Sequence, residues 1–153
     1  MAENPDYKDA LSKVMSLCSQ REYCTHDILI KLQSWGVPED GRQRIISILR
    51  KENFINDLRY SKAFARDRFT FNKWGKVKIA SNLKARGIHN DTINTALDSI
   101  DNELYIQVLK DLVSDHRKHI KAKNQYDLKG KLLRYGLSKG FESELLYDLL
   151  NDI

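Results

Sequence analysis

The chain has 153 residues, enough for one domain or a short array of repeats, and its 41% hydrophobic and 31% charged residues with only two prolines read as globular, not disordered or fibrous. Its apolar runs are a few residues long, far below the ~20 of a membrane-spanning helix. The opening MAENPDYKDA also lacks the basic-then-apolar order of a signal peptide, so a cytoplasmic protein without a membrane partner is expected.

In chain order, helices are expected at 7–20, 25–35 and 39–52, then at 57–71, 76–86 and 90–100, then at 102–122, 128–139 and 142–152, with no period-2 strand of useful length between them. Thr25, the Asn56-Asp57 pair, Asp91 and Asp101 stand where a side chain can accept bonds from the free amides of a first turn. Within the first group, Cys18 and Cys24 have neither C-x-x-C spacing nor a second pair, and both are expected to be reduced thiols.

The second and third helices of each group flank a glycine followed by an apolar residue: Gly36-Val37, Gly87-Ile88 and Gly140-Phe141, 51 and 53 residues apart. Glycine suits the left-handed residue that closes a helix, and the apolar residue after it can fold back on the last turn. Eight residues before the glycine stand Ile28, Ile79 and Leu132; four before it, Leu32, Leu83 and, out of pattern, Gly136. Ile46, Leu97 and Leu150 follow ten after it, and Leu49, Ile100 and Ile153 thirteen after it, again at helical spacing. Arg42 interrupts a further row held by Ile93 and Leu146. The expectation is an all-α fold of three tandem three-helix repeats, at 1–54, 55–101 and 102–153, forming an elongated, curved body whose concave side suits a long partner. Nothing in this pattern calls for a dimer, and a monomer is expected.

The net charge of +5 is unevenly spread: nine cations face one anion in 59–88 and eight face one in 116–140, while 89–115 holds one cation and six anions. Basic bands of this kind can neutralise phosphates or acidic side chains. The candidate residues for contact with a partner or DNA are Arg59, Arg66, Arg68, Lys73, Lys76, Lys78, Lys84 and Arg86 in the first band, and Lys121, Lys123, Lys129, Lys131 and Arg134 in the second. A solvated helix face is the bland alternative for each band. Phe64, Phe69, Phe71 and Trp74 interleave with the first band; core packing is expected of Phe64 and Phe69, while Trp74 could plug a seam between repeats or present its ring to a partner. Tyr126 and Tyr135 are expected to be half-buried packing residues.

His116 and His119 with Asp115 share one turn, yet no further ligand is spaced to complete a metal site. No nucleophile with its base, no paired carboxylates in an apolar setting and no phosphate-cradling glycine loop can be identified, so neither an enzyme nor a cofactor is expected.

Residues 55–88, INDLRYSKAFARDRFTFNKWGKVKIASNLKARGI, resemble the central motif of the RecX regulatory proteins, modulators of the RecA recombinase. The resemblance rests on Asn56-Asp57, Arg59-Tyr60, Arg66-Asp67-Arg68, Lys73-Trp74-Gly75 and Arg86-Gly87-Ile88, and with the tandem helical repeats it extends over residues 7–153. It implies a non-catalytic protein of recombination, DNA repair and the SOS response, which binds the RecA filament on single-stranded DNA and suppresses its ATP hydrolysis and strand exchange. It also implies direct binding to single-stranded DNA and, secondarily, to duplex DNA.

Overall fold

The computed structural model describes residues 7–152, and every element in it is a helix. The first unit holds α1 (Tyr7–Gln20), α2 (Thr25–Ser34) and α3 (Glu39–Lys51); the second α4 (Asp57–Asn72), α5 (Lys76–Ala85) and α6 (Asn90–Asp98); the third α7 (Asn102–His119), α8 (Gln125–Ser138) and α9 (Ser143–Asn151). The main helix pairings stay within a unit: α1 and α2 lie on α3, α4 to α6 lie on one another, and α8 lies between α7 and α9. Among the described residues no helix is long and apolar enough to cross a membrane.

The three glycines close their helices in one geometry. Gly36, Gly87 and Gly140 have φ of 78°, 71° and 91°, a region that costs a side chain roughly 1–2 kcal/mol. In each case the next residue's amide reaches five residues back, Val37 to Leu32, Ile88 to Leu83 and Phe141 to Gly136, at 3.0, 3.3 and 3.1 Å. This folds Val37, Ile88 and Phe141 into the core, where they join the fully buried Ile28, Ile79 and Leu132. Each such aliphatic side chain contributes roughly 1.5–3 kcal/mol.

Gly136 breaks the row of Leu32 and Leu83 because the third unit fills the same space from the opposite helix. A Cβ on Gly136 would lie 2.3 Å from Leu146 Cδ2, so Leu146 occupies the volume that a residue 136 side chain would need. Leu83 and Ile93 are both buried in the second unit's core, while in the first unit Leu32 is buried and Arg42 turns its guanidinium to the Val37 carbonyl, 2.8 Å away. Ile153 lies outside the described residues, as do residues 1–6 of the opening segment.

Helices α2, α4 and α6 start where expected, but their caps differ, and the boundary between α7 and α8 shifts. Thr25 does not cap α2 with its own side chain: it is the first helical residue, and its amide and hydroxyl both donate to Asp57 Oδ1, at 3.0 and 3.2 Å. Asp57 therefore caps a helix of the preceding unit, while Asn56 caps α4 by accepting from the Arg59 amide at 2.9 Å. Asp91 lies inside the first turn of α6, which starts one residue earlier without a side-chain cap. Helix α7 stops at His119 and α8 begins at Gln125, because Asn124 accepts from the Asp127 amide (2.8 Å) and Asp127 in return accepts from the Lys123 amide (3.0 Å).

The core is split. One cluster belongs to the first unit and ends at Ile55; a second runs without interruption through units two and three, and only Cys24 of the first unit joins it. Units two and three thus share a hydrophobic core, whereas the first unit meets the second mainly through polar contacts.

Candidate partner-binding site

The two junctions between units use equivalent elements differently. Between units two and three the start of α5 docks on the α8–α9 turn, with Gly75 and Val77 amides donating to the Lys139 and Gly140 carbonyls at 2.8 and 2.9 Å. The Lys76 amide donates to the Tyr105 hydroxyl at 2.8 Å, and that hydroxyl donates to Glu142. Tyr105 is wholly buried, and that burial, with the bond to Glu142, raises its phenol pKa far above the ordinary range. Every amide in this first turn has a partner, and the contact is backbone against backbone.

Between units one and two, Asp57 caps α2 and Arg59 Nε meets Glu22 Oε1 at 2.6 Å while its terminal nitrogen donates to the carbonyls of Asn53 and Phe54. Arg59 was expected among the partner-binding cations, but its guanidinium is engaged inside the junction. Cys24 and Tyr60 lie here as well; burial pushes the thiol of Cys24 up to about 11 and the phenol of Tyr60 up to about 12. Beside these contacts opens a cleft of about 630 Å³, lined from the first unit by Arg21, Tyr23, Asp27, Ile30 and Lys31, and from the second by Phe64, Arg66, Asp67, Arg68 and Arg86.

Rings and cations alternate in the cleft walls. Arg21 lies over Tyr23, 4.3 Å from its centroid, with the Lys31 ammonium at 5.6 Å; Arg68 and Arg86 lie over Phe64 at 5.0 and 4.9 Å. Next to Phe64 the Trp74 ring packs edge-on at 6.3 Å and carries Arg68 and Lys78 at 5.2 and 4.6 Å. Each such contact is worth about 0.5–2 kcal/mol, the more the better it is shielded from water, and it holds the cations in fixed places. Phe64 is half-buried and packs against the core from this surface; Phe69 is buried in the core, tilted against Tyr105 at 5.5 Å, and Phe71 is 78% exposed.

The structure thus brings Arg66, Arg68 and Arg86 to one cleft and Lys78 beside it. Arg66 is exposed and meets Asp67 at 3.6 Å. Lys73 is the exposed left-handed residue ending α4, Lys84 is exposed on α5, and the Lys76 ammonium lies over Tyr105 at 4.8 Å, toward the third unit. The second band lies apart on the third unit: Lys121 and Lys123 are exposed in the linker before α8, Arg134 is exposed on α8, and Lys129 is half-buried there. Lys131 pairs with Asp127 at 3.3 Å and donates to the Lys121 carbonyl. Of the tyrosines in this unit, Tyr126 is 90% exposed, against expectation, while Tyr135 stacks on His116 at 3.7 Å. The sequence pattern missed Arg21, Tyr23 and Lys31, which fall in a segment with eight cations and nine anions where no band stands out.

Residues 56–97 match the family profile described as RecX, second three-helix domain. The regulatory protein RecX of Clostridium acetobutylicum is 31% identical over 156 residues, an alignment covering 99% of this chain and 72% of that protein. The chain belongs to the RecX family. The regulatory protein RecX of Mannheimia succiniciproducens is 30% identical across 94% of this chain and 93% of its own. These relatives are named as regulatory proteins. Two RecX crystal structures share the fold: one with a TM-score of 0.86 at 23% identity, covering 96% of this chain and 72% of that one, and one from Lactobacillus salivarius with a TM-score of 0.82 at 21% identity, covering 96% of each. The RecX-matching segment is the one that supplies Phe64, Arg66, Arg68, Trp74 and Arg86 to the cleft and its rim.

Proposed function

We propose that this RecX protein binds the RecA filament on single-stranded DNA and lowers its ATP hydrolysis and strand exchange, acting in the cytoplasm as a monomer of three repeats at 1–54, 55–101 and 102–153. The observation that carries the reading is the ordered cation and aromatic surface of Arg66, Arg68, Arg86, Lys78, Phe64 and Trp74, built on the segment that matches the family. Arg68 and Arg86, held over the Phe64 ring, suit carboxylates and phosphates alike, since the planar fork is already oriented before the partner arrives, and exposed Arg66 adds charge beside them. Inhibition then follows from differential binding: the protein slows hydrolysis only so far as it binds the slowly hydrolysing arrangement of adjacent filament subunits more tightly than the active one. Replacing Arg66 and Arg68 together with alanine should raise the concentration for half-inhibition at least tenfold without loss of helicity; unchanged inhibition would remove this surface from the filament contact.

Direct nucleic-acid binding is the second reading. It is not favoured in the form of a recognition helix entering a groove, because such a helix leads with its N-terminal residues. The start of α5, the basic helix, is bonded to the Lys139 and Gly140 carbonyls and to Tyr105. Binding of a single strand elsewhere on the surface is compatible with this geometry.

A further inference from the structure

The third unit carries two tyrosines that the repeat does not call for. Tyr147 stands seven residues after Gly140, where the first and second units place Gln43 and Asn94; Tyr126 stands fourteen before it, where they place Glu22 and Lys73. Tyr126 is 90% and Tyr147 54% exposed, so neither ring completes the core. Both line a groove of about 410 Å³ between α8 and α9, together with Gly130, Leu133 and Leu150 and with Lys129 and Arg134 of α8. We propose that this groove is a docking site for an acidic amphipathic segment of another protein, its large apolar side chains held between the two tyrosines and its carboxylates by the α8 cations. The site lies on a different unit from the cleft and goes beyond the filament reading.

Three observations point to that partner. First, the groove continues an established mode of contact, because the start of a unit's second helix is where the next unit docks. Thr25 of α2 is bonded to Asp57 of the second unit, and the Gly75 and Val77 amides at the start of α5 are bonded to the third. At the start of α8 the first turn is instead capped by Asn124 from the unit's own linker, and Tyr126 faces solvent. Second, Gly130 sits inside α8, where glycine weakens a helix, yet a Cβ there would meet only Arg134 Nη1, at 3.5 Å. Packing within the unit does not require this glycine, whereas an open groove does. Third, the charge beside the groove is positive. Lys121 and Lys123 stand exposed in the linker before α8, and Asp127, the carboxylate in the lining, is engaged by the Lys123 amide and by Lys131, at 3.0 and 3.3 Å. Asp148 of α9 and Asp152 after it line a separate groove with Ile106 and Lys110. A basic rim steers an acidic partner, and tyrosines are among the residues that most often hold one in place. Leu133 and Leu150 suit the aliphatic side chains of a peptide better than the flat faces of bases.

The test uses the full chain without recombinase, isotope-labelled for amide NMR. The probe is a synthetic helical peptide of glutamate, alanine and leucine with its leucines on one face. Binding is expected, with amide shifts centred on 126–134 and 147–151. Gly130→Leu, which fills the groove with a better helix former, should weaken binding about tenfold while thermal stability stays level or rises. Tyr126→Ser with Tyr147→Ser, at two exposed positions, should weaken it as much. No binding, shifts confined to the cleft between the first two units, or unchanged binding by either variant overturns the proposal. So does equal binding of the same peptide with lysine in place of glutamate, since charge would then play no part. An oligodeoxythymidylate that displaces the peptide and shifts the same residues also overturns it and makes this a nucleic-acid face. RecA is absent throughout, so failure of the docking site leaves the filament reading to its own test.

Discussion

The amide of Gly75 and the carbonyl of Gly140 belong to different three-helix units, yet no side chain fits between them. A Cβ on Gly75 would lie 2.3 Å from the Gly140 oxygen, 2.4 Å from its carbon and 2.5 Å from the Phe141 nitrogen. All three are backbone atoms, so no flexible side chain can give way. This contact binds units two and three into a single body with one core, and the stability of the molecule depends on it.

Gly75→Ala should therefore cost about 1–3 kcal/mol, the usual range for overpacking. The φ of Gly75 is −76°, which alanine adopts freely, so the loss comes from the contact alone. Gly87→Ala should also cost about 1 kcal/mol, but through its left-handed backbone, since its Cβ meets nothing. Urea denaturation of both variants measures the two costs; a neutral Gly75→Ala would mean that the junction yields.

Tyr105→Phe removes the hydroxyl that accepts from the Lys76 amide and donates to Glu142. Phenylalanine fills the same space and keeps the ring contacts with Phe69 and Phe141, 5.5 and 5.2 Å away. The loss is then that of the unpaired polar groups, about 1–3 kcal/mol. Faster hydrogen exchange at the Lys76 amide should accompany it, and an unchanged exchange rate would contradict the role given to the hydroxyl.

Asp57→Ala should destabilise the first unit against the second, because the carboxylate caps α2 across the junction. The expected loss is about 1 kcal/mol, that of a helix N-cap, with Asp57→Asn retaining most of it since the amide oxygen still accepts. Hydrogen exchange in the first turn of α2 should rise in the alanine variant while exchange in α5 stays as it was.

The thiol of Cys24 is held neutral by burial, with its pKa raised from 9.0 to about 11. A folded-state value above the unfolded one means that the contribution to stability is fully present below pH 9 and is lost as pH rises through about 11. Cys18 shifts in the same direction, again chiefly through burial. Denaturation midpoints should fall between pH 9 and 11, and fall less in Cys24→Ala relative to its own value at pH 8. At pH 8 a thiol reagent should label half-buried Cys18 before Cys24; the reverse order would contradict the burial of Cys24.

The helical plan was legible because its signals are local. The glycine and apolar pair at 36, 87 and 140 marks each closing turn, and Ile28, Ile79 and Leu132 mark the inward face. What escaped were relationships between units. Asp57 reads as part of a cap for its own helix, but its carboxylate reaches Thr25, 32 residues earlier, which no local spacing encodes. The exception at Gly136 is explained only by Leu146 on the facing helix. Counting charge along the chain found Arg66, Arg68 and Arg86, but the opposite wall of the cleft lies in a segment whose charges nearly cancel, so Arg21 and Lys31 stood out only once the chain had folded.

The central claim, regulation of the recombinase filament, is tested most directly by single-stranded-DNA-dependent ATP hydrolysis by RecA, titrated with this protein from far below to equal stoichiometry. The account predicts that hydrolysis falls at less than one protein per recombinase subunit, and that the Arg66→Ala, Arg68→Ala double variant needs at least tenfold more. Hydrolysis that stays constant at every ratio would contradict it.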